Sequence, residues 1–173
     1  MKKLVIALLA LLTAGTLHAQ TSDNAEWWSY VAAHDGKPGT TRLDMGLRRV
    51  APVSGYPYVI VTGVGYRSSR PDGLPEPGDT GRLDAISEAV ATAIGRKTRS
   101  IYAGTVIHNL EQLNYIYVID PNGLGETVAA VYAKLCPGCE IHTEIKADAA
   151  WSTYRDFLYP DEETRRRYGL LSY

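Results

Sequence analysis

Phenylalanine is nearly missing from this chain: one residue in 173, against 12 tyrosines and 3 tryptophans. The aromatic surface is therefore carried by rings with a polar tip, which suit half-wet positions. Cysteine is scarce too. Two residues, Cys136 and Cys139, exclude a disulfide-dense scaffold and a closed four-cysteine zinc site. Neither sign of charge dominates, with 18 Lys and Arg against 19 Asp and Glu. A chain without a basic excess is a poor nucleic-acid binder, because that affinity rests mostly on neutralising phosphates. No apolar run approaches the roughly 20 residues needed to span a bilayer. No serine sits in a G-x-S-x-G elbow, and Gly123-Leu124-Gly125 lacks the third glycine and the Lys-Ser/Thr pair of a phosphate loop. No internal repeat or low-complexity tract is present.

What is there begins with a leader. Lys2 and Lys3 precede an uncharged run from Leu4 to Leu12, then small and polar residues ending at Leu17-His18-Ala19. This is the order of a secretory signal, with cleavage expected between Ala19 and Gln20. Residues 1–19 are read as signal peptide and residues 20–173 as one domain, periplasmic or secreted and not inserted in a membrane after cleavage. Loss of Lys2 and Lys3 leaves 16 basic against 19 acidic residues, a net charge of −3.

Apolar periodicity gives the element order. Trp27–Ala33 and Thr41–Val50 read as a hairpin around the turn residues His34 to Gly39, with Leu43, Met45 and Leu47 alternating in the second strand. Tyr58–Tyr66 is apolar on both faces and reads as a central strand, with Gly63 and Gly65 allowing another backbone or helix to come close. Arg67–Gly81 is a long loop rich in Pro and Gly. Leu83–Ile94 is a helix, capped at Asp79 or Thr80 and ended by Gly95. Strands Arg99–His108 and Leu113–Asp120, a helix Glu126–Leu135, a strand Glu140–Ala147 and a final helix opened by Asp148 and closed by Pro160 follow. The fold expected is α+β: a ferredoxin-like βαββαβ sheet with two helices on one face, preceded by a β-hairpin and followed by a short C-terminal helical segment.

Trp28 and Tyr30, Ala51-Pro52, Asp72-Gly73-Leu74-Pro75, Tyr115-Ile116-Tyr117, and Asp148 followed by Trp151, Tyr154 and Phe157-Leu158-Tyr159-Pro160 occur in that order. This ordered set resembles the bacterial domain of unknown function 695 (DUF695) family over nearly the whole mature chain. The resemblance implies no established activity and no assigned catalytic residue. Some members of that family carry a second domain similar to the regulator of ribonuclease activity B, which implies interaction rather than catalysis. This chain departs from that setting through its export-type leader, which counts against a ribonuclease-directed role.

Three chemistries remain for Cys136 and Cys139. In an exported protein the default is a disulfide pinning the turn between helix and strand. A redox pair is disfavoured by position, since the motif follows a helix C-terminus and precedes Glu140, and both discourage thiolate. A metal site would add His142 to the two cysteines but lacks a fourth ligand in sequence. His34 and His108 read as surface residues. The aromatic set is the remaining signal. Trp28, Tyr30, Trp151 and Tyr154, with Tyr159, are candidates to line a groove near Asp72, or else they close the core. The reading is a non-catalytic envelope binding or interaction domain, with no cofactor and an unidentified protein or small-molecule ligand. The alternative is a thiol redox or metal-binding protein centred on Cys136, Cys139 and His142.

Overall fold

A computed structural model describes residues 25–170. The leader and its cleavage site lie outside the described residues. Among the described residues no helix is long and apolar enough to cross a membrane.

Six strands, β1 (Trp27–His34), β2 (Lys37–Asp44), β3 (Tyr58–Gly65), β4 (Ser100–His108), β5 (Glu111–Val118) and β6 (Ile141–Ala147), form one sheet of order β1-β2-β4-β5-β3-β6. Every neighbouring pair is antiparallel. Helix α1 (Thr80–Lys97) links β3 to β4, and α2 (Leu124–Leu135) links β5 to β6. A short helix, α3 (Glu162–Arg167), comes last.

The sheet is covered on both faces, which is why β3 is apolar on both. On one face Ile60, Val64, Ile116 and Val118 pack with Leu83, Ile86, Val90 and Ile94 of α1 and Leu124, Val128 and Tyr132 of α2. On the other, Val59, Val61, Tyr115 and Tyr117 pack with Met45, Leu47, Trp151, Tyr154, Leu158 and Leu170. The glycine of β3 does what its position asks. A Cβ on Gly63 would stand 1.8 Å from the Gln112 carbonyl oxygen, so the β5 backbone occupies that space.

Several boundaries differ from the sequence expectation. The second strand ends at Asp44, because that carboxylate accepts hydrogen bonds from the backbone N–H of Gly46 (2.8 Å) and Glu26 (2.9 Å). The chain then enters a 3-10 turn, Met45–Arg49, that buries Met45 and Leu47. Those two residues mimic strand alternation while sitting in a helix. Gly95 does not end α1; it is buried within it, and the helix runs on to Lys97. Asp79 makes no capping bond and instead meets Arg82 at 3.6 Å. The expected helix after Asp148 is a single π-helical stretch, Thr153–Leu158. Trp151 precedes it with φ +58°, and that left-handed residue breaks any continuous helix from Asp148. The β4–β5 link is only two residues, Asn109 and Leu110, both at positive φ, the geometry of a type I′ hairpin turn.

Candidate functional site

The residues nominated from sequence do not converge on one groove. Trp151 and Asp72 belong to opposite ends of β3. Trp151 donates its indole N–H to the Tyr56 carbonyl at 3.0 Å, just before β3 begins. Asp72 lies in the loop after β3, where Tyr66 donates its hydroxyl to the Gly73 carbonyl at 2.8 Å. Asp72 is engaged locally. Its carboxylate accepts from the Arg70 Nε at 2.9 Å and from the Leu74 N–H at 3.1 Å. The Arg70 side chain beside it, then the Leu74 N–H, hold its carboxyl below the usual range. The long loop is tied down in the same way, with Glu76 accepting from Ser68 and Ser69.

Tyr30, Trp151 and Tyr154 are core residues, and Trp28 packs half-buried against the same cluster. Each tyrosine ties distant chain together. Tyr30 donates to the Leu158 carbonyl at 2.8 Å, and Tyr154 donates to the Asp44 carbonyl at 2.8 Å. Burial first, then the nearby Asp44, pushes the Tyr154 phenol above its ordinary range. It is therefore a neutral donor.

Cys136 and Cys139 stand at disulfide distance, with Cα atoms 5.5 Å apart. They join the end of α2 to the approach to β6, and Cys136 is buried beside α1. The Arg82 guanidinium comes within 3.5 Å of the Cys136 sulfur. His142 is exposed on β6, in register with Gly63. Among the described residues no cluster of three or more His, Cys, Asp or Glu side chains has the arrangement of a metal site. The double change Cys136→Ser, Cys139→Ser should lower unfolding free energy by roughly 2 kcal/mol, the loop-closure value for so short a ring. Urea denaturation with and without reductant measures it. No difference between the two conditions would remove the disulfide from the account.

Two nominated residues, Tyr154 and Tyr159, do reach a cleft. Arg48, Arg49 and Ala51 from one segment, and Tyr154, Arg155 and Tyr159 from the C-terminal segment, line a cavity of about 410 Å³. The sequence builds it simply. The 3-10 turn places basic residues in its last turn, where they complement the carbonyl end. The turn after Trp151 brings Arg155 opposite. Glu26 pairs with two of the guanidinium groups, Arg48 at 2.8 Å and Arg49. Its carboxyl lies below the usual range, through the Arg48 hydrogen bond first. Arg155 makes no ion pair with another described residue. Arg165 lies over the Tyr159 ring, 5.4 Å from its centroid. Four guanidinium groups thus gather around two tyrosines. Arginine forks recognise carboxylate and phosphate by paired hydrogen bonds, and stack on flat groups. Sequence reasoning found the tyrosines and missed the arginines, which lie about a hundred positions apart in the chain. The only available signal was the adjacent pair Arg48-Arg49 in a stretch with no acidic residue between Asp44 and Asp72.

A second cleft, about 420 Å³, opens near the β4–β5 turn. Asp35, His108 and Glu111 form its rim, and Val106, Leu113, Tyr115 and Phe157 its floor. Burial pushes the Tyr115 hydroxyl above its ordinary range, and Glu111 and Glu144 add to the shift. Its acidic rim is opposite in sign to the first cleft.

A family model described as a family of unknown function (DUF695) matches residues 25–159. No curated protein and no solved structure matches the chain.

Proposed function

The chain belongs to the DUF695 family, and from that premise we propose that it is an exported binding domain, not a catalyst, whose arginine-lined cleft takes an anionic ligand with a flat body. The observation that carries this is the grouping of Arg48, Arg49 and Arg155 beside Tyr159 around one cavity. Glu26 pairs with two of them but brings one negative charge against three guanidinium groups, which leaves the cleft positive in a chain whose net charge is negative. A carboxylate or phosphate on the ligand would meet the guanidinium forks, and its ring would lie against Tyr159. Export rests on the leader, with its two lysines, apolar run and Ala19. The strand order β6-β3-β5-β4, with α1 and α2 as the two crossovers, supports reading Tyr58–Ala147 as a ferredoxin-like unit that the β1–β2 hairpin extends.

Isothermal titration with inorganic pyrophosphate and with 4-hydroxybenzoate tests the cleft. The expected result is saturable binding of at least one, weakened about tenfold or more in Arg155→Ala, since a charge-assisted pair is worth about 1.5–3 kcal/mol. Equal affinity in the variant, or no heat with either anion, would sink the proposal. A second reading has one observation in its favour. The Arg82 guanidinium near Cys136 would favour a thiolate there once the disulfide is reduced. It predicts rapid alkylation of Cys136 at neutral pH that slows in Arg82→Gln, and equal rates would dismiss it.

A further inference from the structure

We infer that β6 is a self-complementary sheet edge that pairs antiparallel with β6 of a second copy of this chain, about a two-fold axis at Thr143. The two ends of the sheet differ. β1 is the other terminal strand, and Tyr168 covers part of its edge by accepting the Val31 N–H at 3.0 Å. Among the described residues β6 is paired with β3 alone. Six of its seven residues are exposed, and Ile141 is 44% exposed.

The register with β3 decides which backbone groups point outward. Gly65 donates its N–H to the Glu140 carbonyl, and Asp148 donates to the Pro57 carbonyl, each at 2.8 Å. In an antiparallel ladder such bonds recur at every second residue. The even-numbered residues of β6 therefore bond β3. Ile141, Thr143 and Ile145 present their N–H and C=O groups to the open side, a ready template for another strand.

In an antiparallel ladder directly opposite residues bond in the same sense, so a two-fold axis passes through a residue position, and the side chains choose among these. Centred on Thr143, Ile141 faces the second copy's Ile145, His142 faces Glu144, and Glu140 faces Lys146. Ile141 with Ile145 is apolar with apolar, Glu140 with Lys146 is opposite in charge, and by symmetry each of these pairs occurs twice, while Thr143 faces its own copy on the axis. Centred on Glu144, the middle of the strand, two glutamates would meet directly. Centred on Ile145, the exposed Ile141 would face the chain beyond the strand and stay uncovered. Centred on His142, Glu140 would meet Glu144, and centred on Ile141, most of β6 would face the turn ahead of the strand; the Thr143 centre covers Ile141, matches the charges and uses the length of the strand.

Sedimentation velocity across the micromolar range tests the inference. The wild type should show a concentration-dependent dimer of micromolar affinity, as suits a small contact. Lys146→Glu places like charges opposite each other twice, and should weaken the dimer about tenfold. Glu140→Lys should do the same, and the double change Glu140→Lys, Lys146→Glu should restore the wild-type affinity. Both side chains are exposed, and circular dichroism confirms that each variant is folded. A wild type that stays monomeric overturns the inference, including the case in which the chain's own segment ahead of residue 25 takes the edge. A dimer indifferent to the single changes, or not recovered by the double change, overturns it as well.

Discussion

Trp151→Ala should cost about 3–5 kcal/mol of unfolding free energy, a large part of what a domain of this size has. The indole is fully buried and stacks on Tyr117 with centroids 3.8 Å apart and planes 9° from parallel. It meets Tyr154 edge-on at 6.2 Å and donates to the Tyr56 carbonyl. Truncation leaves a void between the sheet and the C-terminal segment and an unpaired carbonyl. The left-handed backbone at this position stays strained in alanine. Trp151→Phe keeps a ring on Tyr117 and loses the indole bond, so about 1–2 kcal/mol is expected. Urea denaturation followed by far-UV circular dichroism reads both, with the midpoint shifting and the slope unchanged. A cost for alanine no greater than for phenylalanine would mean that Trp151 does not hold the C-terminal segment to the sheet.

The second large effect belongs to Asp148 and depends on pH. Its carboxylate receives the Tyr117 hydroxyl at 2.7 Å, the Ser152 N–H and hydroxyl at 2.8 Å each, and the Thr153 N–H at 2.9 Å. Burial alone would raise its pKa, but these hydrogen bonds outweigh burial and hold it down at about 2, against an ordinary value of 3.8. A depressed pKa favours the folded state above the unfolded value. The contribution is therefore complete above about pH 4 and drains away as pH falls toward 2, about 2 kcal/mol in all. Asp148→Asn should flatten that acid limb while keeping one acceptor oxygen. Asp148→Ala leaves Tyr117 and two backbone N–H groups without their acceptor, so a cost of about 3 kcal/mol at neutral pH is expected. Chemical denaturation at pH 7, 4 and 2.5 separates the two. An acid limb in Asp148→Asn as steep as in the wild type would assign the acid sensitivity to other carboxylates.

Both residues were visible in the sequence, and their roles were not. Asp148 was legible as a helix opener because its spacing to Ser152 and Thr153 is local. That it also takes the Tyr117 hydroxyl, 31 positions away, is a tertiary fact. β3 announced itself because a strand apolar on both faces needs cover on both. The α1 and α2 stripes supplied one cover, and the aromatic C-terminal segment supplied the other. Two readings stood open for Trp28, Tyr30, Trp151 and Tyr154, a groove or the closing of the core, and Tyr30, Trp151 and Tyr154 lie in the core. Tyr30 and Tyr154 bury their rings and place their hydroxyls on backbone carbonyls 128 and 110 positions away. Such tyrosines carry core area and a polar clamp together, which is how a chain with one phenylalanine closes a sheet face. The arginine cleft was illegible for a related reason. Arg48-Arg49 and Arg155 become neighbours only after Tyr154 locks the C-terminal segment onto the end of β2.

The most direct test of the binding claim is a nitrogen-15 amide spectrum of the folded chain, titrated with inorganic pyrophosphate and, separately, with 4-hydroxybenzoate. The account predicts saturable shifts confined to Arg48, Arg49, Ala51, Arg155 and Tyr159, and their loss in Arg155→Ala. Shifts centred on Asp35, His108 and Glu111, or no saturable shift at all, would contradict it.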